Sequence, residues 1–209
     1  RWNMGENQGI CHQVLPEKGF AQPGRLIVGS DSHTTTYGAF NCLGIGIGAT
    51  DVVVVFATGK LWFKVPETIR INFVGSLQPK SMGKDVVLAL LRDFRTDGAI
   101  YQSFEFGGSG LSSLSIDARM SIANMVVEMG AKCGIFEADK NLLDWLVSHP
   151  EVNQSQGKSN HLRVLSPDPD AIYLKNLTYD LSSIPPLVAQ PFSPDNVIPV
   201  ALPINATVS

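Results

Sequence analysis

The sequence predicts an α/β fold with three-layer packing, and three patterns indicate this class. Residues 26–28 form a short apolar, largely β-branched run between two glycines, as in a buried strand. Residues 68–77 alternate apolar and polar side chains, which is typical of a half-buried strand. Residues 81–94 carry apolar side chains at helical spacing. At 209 residues and 44% hydrophobic content, the chain is long enough for one large domain or two small ones.

Composition excludes several classes of function. The net charge is −3 and no Lys/Arg cluster occurs, so we expect no binding to nucleic acid or to an anionic membrane. The longest apolar stretch, 52–57, falls far short of the ~20 residues that span a bilayer. Cys11, Cys42 and Cys133 are too far apart for a metal knuckle and too few for a disulfide framework, which indicates a reducing, cytoplasmic compartment with Cys42 and Cys133 as buried thiols. The start at Arg1 resembles neither an initiator nor a signal peptide, so we expect the chain to begin inside a longer protein.

The first elements lead to a polar stretch at residues 29–38. Residues 9–17 place His12 in a short apolar run that ends at Pro16, a residue expected to stop regular structure. On residues alone, His12 could be a hydrogen-bonded core histidine. A strand at 25–29 then leads into the polar stretch, where catalytic groups would face the crevice in which open α/β sheets bind ligands.

The polar stretch holds a carboxylate, an imidazole and several hydroxyls. In an extended segment Asp31 and His33 would share one face and Ser32 the other, which argues against a local Ser-His-Asp relay. The alternative interpretation is that Asp31, Ser32 and Thr34 only cap a turn.

Three alternating glycines, Gly44, Gly46 and Gly48, follow. Their spacing matches neither a dinucleotide-binding fingerprint nor a P-loop, so we interpret them as allowing close backbone packing around the site. Thr50 is expected to cap a helix that runs to about Lys60.

Glu105 lies between two phenylalanines, in the segment 97–110. Phe104 and Phe106 share one face of an extended segment, so Glu105 points to the other face, where it is either solvated or aimed into a cleft. Glycines 107, 108 and 110 follow it and allow other groups to approach closely.

The rest of the chain has clear helix signals followed by proline. Ser115 or Asp117 is expected to cap a helix that runs to about Met129 and ends at Gly130. A short strand at 133–136, a helix that Asp139 caps, a polar loop at 148–158 and surface positions for His149 and His161 complete the expectations up to the prolines. From Pro167 onward, proline content predicts extended connecting chain.

Three segments together resemble the isopropylmalate dehydratase and homoaconitase branch of the aconitase superfamily. They are Gly9-Ile10-Cys11-His12-Gln13-Val14-Leu15-Pro16-Glu17, then Gly29-Ser30-Asp31-Ser32-His33-Thr34 with Tyr37-Gly38, and Ala57-Thr58-Gly59-Lys60-Leu61-Trp62-Phe63-Lys64-Val65-Pro66-Glu67-Thr68. The likeness runs from about residue 9 to 146 and continues more weakly to 199.

The resemblance implies three-layer α/β/α aconitase-like domains and a site for a hydroxy acid. It implies a 4Fe-4S cluster whose open iron coordinates a carboxylate and a hydroxyl of a hydroxy-dicarboxylate or tricarboxylate substrate. It assigns catalytic roles to His12, Asp31, His33 and Glu105, and substrate-binding roles to Ser32, Thr36 and Tyr37. A departing hydroxide needs a Lewis acid and a positioned proton donor, which agrees with such a set.

The resemblance also implies parts outside this chain. The family's cluster cysteines would lie beyond Ser209, and none of the three cysteines here occupies an expected position, so we expect no metal ligand within the chain and no turnover by it alone. A serine base would come from a small subunit that carries a mobile domain. In this scheme, 1–65 is part of a first aconitase-like domain, 66–190 is a second, and 191–209 is a linker towards the cluster-binding domain.

The function implied is isomerisation of 2-isopropylmalate and 3-isopropylmalate by dehydration and rehydration in leucine biosynthesis. Alternatives are homoaconitase of lysine biosynthesis, a related malate-derivative dehydratase, or a non-catalytic scaffold or fragment. A single metal ion held by His12, Asp31 and His33 is a further chemical alternative, since imidazole and carboxylate ligands suit several divalent ions.

Overall fold

The computed structural model of the protein describes residues 8–149 and 164–200. Its α-helices are α1 (Cys11–Glu17), α2 (Ala49–Thr58), α3 (Gly83–Phe94), α4 (Ile116–Asn124) and α5 (Lys140–Ser148). Its strands are β1 (Leu26–Gly29), β2 (Leu43–Gly46), β3 (Thr68–Val74), β4 (Ser103–Gly107), β5 (Cys133–Phe136), β6 (Lys175–Asp180), β7 (Leu187–Ala189) and β8 (Val197–Pro199). Short 3₁₀ helices cover Ser32–Phe40, Ser109–Ser113, Met125–Met129 and Leu181–Ser183.

The central sheet has the strand order β5-β4-β3-β6, and all of its neighbouring strands are parallel. Its inner face is apolar and fully buried, at Ile69, Ile71, Phe73, Phe104 and Phe106. Phe94 of α3 packs edge-on against Phe104, with ring centroids 5.0 Å apart. The strand predicted at 68–77, the helix predicted at 81–94 and the α/β class are therefore confirmed.

A smaller parallel pair, β1 and β2, supports the 3₁₀ helix Ser32–Phe40, which we call the site helix. Backbones approach closely here: a Cβ on Gly46 would lie 2.9 Å from the carbonyl oxygen of Asp31, and one on Gly38 would overlap the carbonyl oxygen of Gly134 in β5. The glycine run of β2 thus provides close packing around the site, as its spacing indicated. The site helix is held between the two sheets.

The site helix corrects the prediction that residues 31–33 are extended. Asp31 alone keeps an extended conformation, and its carboxylate caps the helix by accepting from the backbone N–H of His33 at 2.7 Å. The hydroxyl of Thr34 donates to the carbonyl of Asp31 at 2.7 Å. The turn-capping interpretation is therefore right for Asp31, because a short polar side chain satisfies the free amides at a helix start.

Two further boundary predictions are wrong. Pro16 lies inside α1, since the helix continues for one residue beyond it, to Glu17, with Lys18 as its C-cap; a proline at this position removes only one backbone bond. Gly48, not Thr50, is the N-cap of α2, and its amide is bound by the carboxylate of Asp51.

The proline-rich region contains a strand that was not predicted. Lys175–Asp180 forms β6 and pairs in parallel with β3, whereas we expected connecting chain. No proline lies between 170 and 184, and Leu177 and Tyr179 alternate towards the core. Whether such a segment forms a strand is decided by the partner strands that the rest of the chain supplies.

The second half confirms most of the remaining predictions. Ser115 caps α4, Gly130 adopts φ 82° after a final 3₁₀ turn, and Asp139 caps α5. Cys42 and Cys133 are buried, as expected. The predicted domain boundaries at 65/66 and 190/191 stay predictions.

The histidines predicted at the surface divide into two cases. His149 is only half-buried rather than solvated, because its ring stacks on Trp145 at 3.8 Å. His161 and most of the loop predicted at 148–158 lie outside the described residues. Across 8–149 and 164–200, none of the helices combines the length and apolar character needed to cross a bilayer.

Candidate active site

The first functional pair joins α1 to the start of the site helix. His12 Nε2 lies 3.1 Å from Asp31 Oδ1. This hydrogen bond, followed by the one from the backbone of His33, lowers the pKa of Asp31 below its usual 3.8. Since a carboxylate can only accept, the contact assigns a proton to Nε2 of His12. The side chain of Asp31 is 57% exposed and that of His12 is 14% exposed, so the pair lies at an accessible edge of the fold.

The other ring nitrogen of His12 contacts Tyr37. The Tyr37 hydroxyl lies 3.3 Å from His12 Nδ1 and also donates to the carbonyl of Cys11 at 3.3 Å. Tyr37 is 2% exposed, and this burial, together with nearby negative charge, raises its pKa. Tyr37 is therefore a neutral buried group that orients the imidazole.

His33 has an equally defined orientation. Its Nδ1 lies 3.0 Å from the carbonyl oxygen of Asn124, an atom that can only accept, so Nδ1 carries a proton. Its Nε2 lies 3.9 Å from a carboxylate oxygen of Glu128 and is about one-third exposed with its ring. A neutral His33 consequently presents an unprotonated Nε2 at the surface.

Asn124 organises this part of the site. Its carbonyl accepts from the hydroxyl of Thr35 at 3.2 Å in addition to contacting His33, and its side-chain amide donates to Thr36 Oγ1 at 2.9 Å. Thr36 in turn donates to the carbonyl of His33 at 2.6 Å and is buried. Asn124, at the end of α4, thus holds the site helix in place. It fixes the ring of His33 directly and the backbone carbonyl of His33 through Thr36.

The predicted substrate-binding residues occupy different positions. Thr36 lines a cavity of about 340 Å³ together with His12, Lys84 and Asn124. Ser32 is exposed and lines a separate cavity of about 390 Å³ on the other side of the site helix. Tyr37 lines neither of these two cavities and contacts His12, which lines the first of them.

Glu105 lies apart from the histidines, in a group we call the charged cluster: Arg70, Glu105, Glu137 and Tyr173. Arg70 Nη1 donates to Glu105 at 2.5 Å and Nη2 to Glu137 at 2.6 Å. The Tyr173 hydroxyl donates to Glu105 at 2.9 Å. Burial lowers the pKa of Arg70, but the carboxylates of Glu137 and Glu105 outweigh burial and raise it.

The charged cluster lies on the sheet face opposite the phenylalanines. The register pairs Arg70 of β3 with Glu105 of β4, so the alternation that sends Phe104 inward sends Glu105 outward, as predicted. Glu105 and Glu137 line a cavity of about 360 Å³ between the two parallel sheets. Glu105 is thus aimed into a cleft, but into a different one from that of His12.

Sequence reasoning missed three residues that define these geometries. Asn124 contacts residues about ninety positions earlier, and Tyr173 reaches Glu105 from the segment before β6. Arg70 carried a usable signal, because it stood on the polar face of an alternating strand. Its partner depended on sheet register, which the sequence did not specify.

Comparison with known proteins identifies the relationship. A sequence profile of the Aconitase family (aconitate hydratase) matches residues 1–208. The chain belongs to the aconitase family. This aconitase-family chain is 48% identical to 3-isopropylmalate dehydratase large subunit 1 of Methanopyrus kandleri, over 92% of the chain and 44% of that relative.

Other similar relatives carry two different names. The probable methanogen homoaconitase large subunit of Methanothermobacter thermautotrophicus is 48% identical, over 92% of the chain and 43% of the relative. The 3-isopropylmalate dehydratase large subunit of Aquifex aeolicus is 40% identical, over 100% of the chain and 46% of the relative. The aconitase-family chain therefore spans about half the length of the curated relatives it matches.

Membership of the aconitase family implies a 4Fe-4S cluster in the full-length enzyme, and cluster ligands are cysteine thiolates. Burial raises the pKa of the Cys42 and Cys133 thiols to about 12 each, and Cys42 donates its thiol proton to the carbonyl of Gln22. Cys11 is exposed on α1. Within 8–149 and 164–200, no three His, Cys, Asp or Glu side chains come together to hold a metal ion. The described residues do not fit as the cluster's ligands.

Proposed function

We propose that the protein containing this chain interconverts hydroxy acids by dehydration and rehydration, and that it isomerises 2-isopropylmalate and 3-isopropylmalate. The observation that carries the proposal is the fixed pair of imidazoles, His12 and His33, around one end of the site helix. Both ring nitrogens of His12 and the Nδ1 of His33 have assigned partners. Relatives with the dehydratase name support the choice of substrate.

The His12–Asp31 pair is suited to protonate a departing hydroxyl. Hydroxide is a poor leaving group and must leave as water, so a proton donor is needed. The proton on Nε2 of His12 is bound to the Asp31 carboxylate at the accessible edge, and in this proposal it passes to the departing hydroxyl. Tyr37 is positioned to accept from Nδ1, which keeps the second ring proton on the buried side.

His33 is suited to the opposite role. Its Nδ1 proton is bound to the Asn124 carbonyl, so only Nε2 exchanges a proton with a ligand. In the neutral form Nε2 accepts, and a carboxylate oxygen of Glu128 lies 3.9 Å from it. Two imidazoles with opposite resting roles fit a reaction that removes and restores water.

The remaining predicted residues take supporting roles in this proposal. Ser32 presents its hydroxyl to a substrate carboxylate, while Thr36 and Tyr37 hold His33 and His12 in place. Arg70 and Tyr173 both donate to Oε1 of Glu105, which lines the separate cleft between the two sheets. In this proposal Glu105 therefore accepts hydrogen bonds in that cleft and does not exchange a proton with the hydroxyl that His12 protonates.

A second candidate function is homoaconitase. Relatives from Methanothermobacter thermautotrophicus and Methanosarcina mazei that carry the name probable methanogen homoaconitase large subunit are 48% and 49% identical. The two substrates differ in the group attached to the hydroxy acid, an apolar branch in isopropylmalate and a carboxyalkyl chain in homocitrate.

Since the relatives are named large subunits, we propose a small-subunit partner whose mobile domain completes the site.

The test uses the full-length large subunit assembled anaerobically with its small subunit, iron and sulfide. We expect isomerisation of isopropylmalate, and we expect His12→Asn to lower kcat by roughly 100-fold or more, the usual size of a lost general acid. His149→Asn is the matched control, because His149 stacks on Trp145 and touches neither imidazole. Turnover of homocitrate alone would select the second candidate. Equal activity of the two variants would refute the role of His12.

A further inference from the structure

Helix α2 combines an apolar sequence with an exposed position. None of its ten residues is buried: Val52 and Val55 are half-buried, and the other eight are exposed. Yet residues 52–57 are six consecutive apolar residues. Since an α-helix has 3.6 residues per turn, six apolar residues in a row place apolar side chains on every side of the helix. A helix of this kind normally lies inside the core of a large protein.

The exposed apolar side chains are large, and they continue beyond the helix. Val53 is 65% exposed and Phe56 is 86% exposed. In the stretch that follows α2, Trp62 is 81% exposed and Val65 is 85% exposed. We call residues 52–65 the apolar segment. Soluble proteins rarely leave a large apolar patch in contact with water unless another surface binds there, so we expect the apolar segment to be covered.

The sheet that precedes α2 gives an independent indication. Strands β1 and β2 form a parallel pair, and within 8–149 and 164–200 this sheet has no third strand. Leu26, at the start of β1, is 53% exposed. Parallel sheets normally have both faces covered by other elements, and stable sheets normally have three or more strands. This end of the fold is therefore suited to pack against structure from outside the described residues.

The length of the relatives indicates what covers the apolar segment. The matched region is 44% of the Methanopyrus kandleri subunit and 46% of the Aquifex aeolicus subunit, so more than half of each relative lies outside it. A separate partner subunit docks on one side of a helix, whereas α2 is apolar on all sides. Chain that folds together with the helix can surround it, as in the core of a domain.

We propose that the apolar segment docks against the part of the full-length large subunit that this chain does not contain, so that α2 is buried in a core that the two parts share. The occupant presents an apolar surface. The one charged side chain on α2 is Asp51, and its carboxylate is occupied at the helix start by the amide of Gly48. The inference concerns the assembly of the large subunit and goes beyond the proposed function.

The test compares the reaction of a maleimide with Val53→Cys in this chain and in the full-length large subunit without its small subunit. Both proteins carry Cys11→Ser, because Cys11 is exposed whereas Cys42 and Cys133 are buried. Mass spectrometry of the peptide that contains residue 53 measures the rate. We expect a reaction at least about tenfold slower in the full-length subunit, because a buried thiol reacts only when the structure opens locally.

The matched control is Val147→Cys on α5. Val147 is 69% exposed, so the same substitution is made at a site of similar exposure, and we expect equal rates in the two proteins. Equal slowing at both positions would show a general effect of the larger protein and overturn the inference. Slowing at residue 53 in this chain alone, slowing only after the small subunit is added, or slowing that rises with protein concentration would assign the cover to another occupant and overturn it as well.

Hydrogen exchange of the unsubstituted proteins tests the same inference without a variant. The amides of α2 should exchange at least about tenfold more slowly in the full-length subunit than in this chain, while those of α5 exchange at similar rates in both. Equal exchange of α2 in the two proteins would overturn the inference. Because neither measurement uses activity, such a result would leave the proposed function standing.

Discussion

The His12–Asp31 pair and the charged cluster both bring acidic side chains next to a nitrogen donor, yet they are built in opposite ways. In the first, His12 and Asp31 share one hydrogen bond at an accessible edge, where Asp31 is 57% exposed. In the second, Arg70 is 11% exposed and is bound by two glutamates at once. The first arrangement can gain and lose a proton, whereas the second fixes its charges.

This difference shows that closeness of charged groups is no measure of chemical activity. The ion pairs of Arg70 are short, at 2.5 and 2.6 Å, and they hold the carboxylates of Glu105 and Glu137 in place. The histidines make longer contacts, at 3.0 to 3.9 Å; His12 Nε2 lies beside the exposed Asp31 carboxylate, and His33 Nε2 is partly exposed. Proton transfer needs a group whose charge can change, so the looser region is the one we assign to the reaction.

The largest expected effect lies in the charged cluster and concerns stability. Arg70→Leu leaves two partly buried carboxylates without their cation, so we expect the free energy of unfolding to fall by about 3 kcal/mol. Urea denaturation of the full chain measures it. The control is Arg92→Leu, which removes an exposed pair with Asp93 and should cost less than about 0.5 kcal/mol. Similar losses in both variants would contradict the special role of Arg70.

The next effect concerns activity at the histidine pair. His33→Gln removes an imidazole whose Nε2 is partly exposed, and we expect kcat of the assembled enzyme to fall roughly 30-fold or more while the stability of the chain changes little. A loss of stability as large as that of Arg70→Leu, with full activity per folded molecule, would reverse the comparison between the two regions.

A smaller effect is expected at Tyr37, which lies behind His12. Tyr37→Phe removes the hydroxyl that contacts His12 Nδ1 and the Cys11 carbonyl, and the expected cost is about 1 kcal/mol of unfolding free energy. Because the His12 ring loses a partner, its Nδ1 resonance should also move in ¹⁵N NMR spectra. An unchanged Nδ1 resonance would show that Tyr37 does not orient His12.

The smallest effect is the pH dependence of stability that comes from the His12–Asp31 pair. The pKa of Asp31 is lowered in the folded state, so its contribution to stability is present above pH 3.8 and is lost as pH falls through its folded pKa. Asp31→Asn should therefore be less stable than the wild type at pH 6, by less than about 0.5 kcal/mol because the group is exposed, and equally stable near pH 2. A difference that grows on acidification would contradict this sign.

Local patterns predicted much of the fold. The alternation at β3, the helical spacing of α3 and the caps at Ser115 and Asp139 depend on residues close in sequence, and they were right. β6 was missed because it forms by pairing with β3, about a hundred residues earlier. Local propensity carries no information on such a partner.

The predictions for the site divide in the same way, into those that depend on nearby residues and those that depend on distant partners. Asp31 and His33 were found together because they are neighbours in sequence, and His12 was placed with them by resemblance alone. The Asn124 carbonyl that orients His33 and the Arg70 that holds Glu105 could not be predicted, since each acts across elements brought together by packing. The predicted catalytic and substrate-binding roles remain proposals that the variants above test.

The most direct test of the account is the response of the imidazoles to a hydroxy acid. We would label the histidines of the chain with ¹⁵N and add malate at constant pH. The account predicts that the ring nitrogens of His12 and His33 shift on binding while those of His149, stacked on Trp145, stay in place. Shifts at His149 alone, or none at His12 and His33 up to saturating malate, would contradict it.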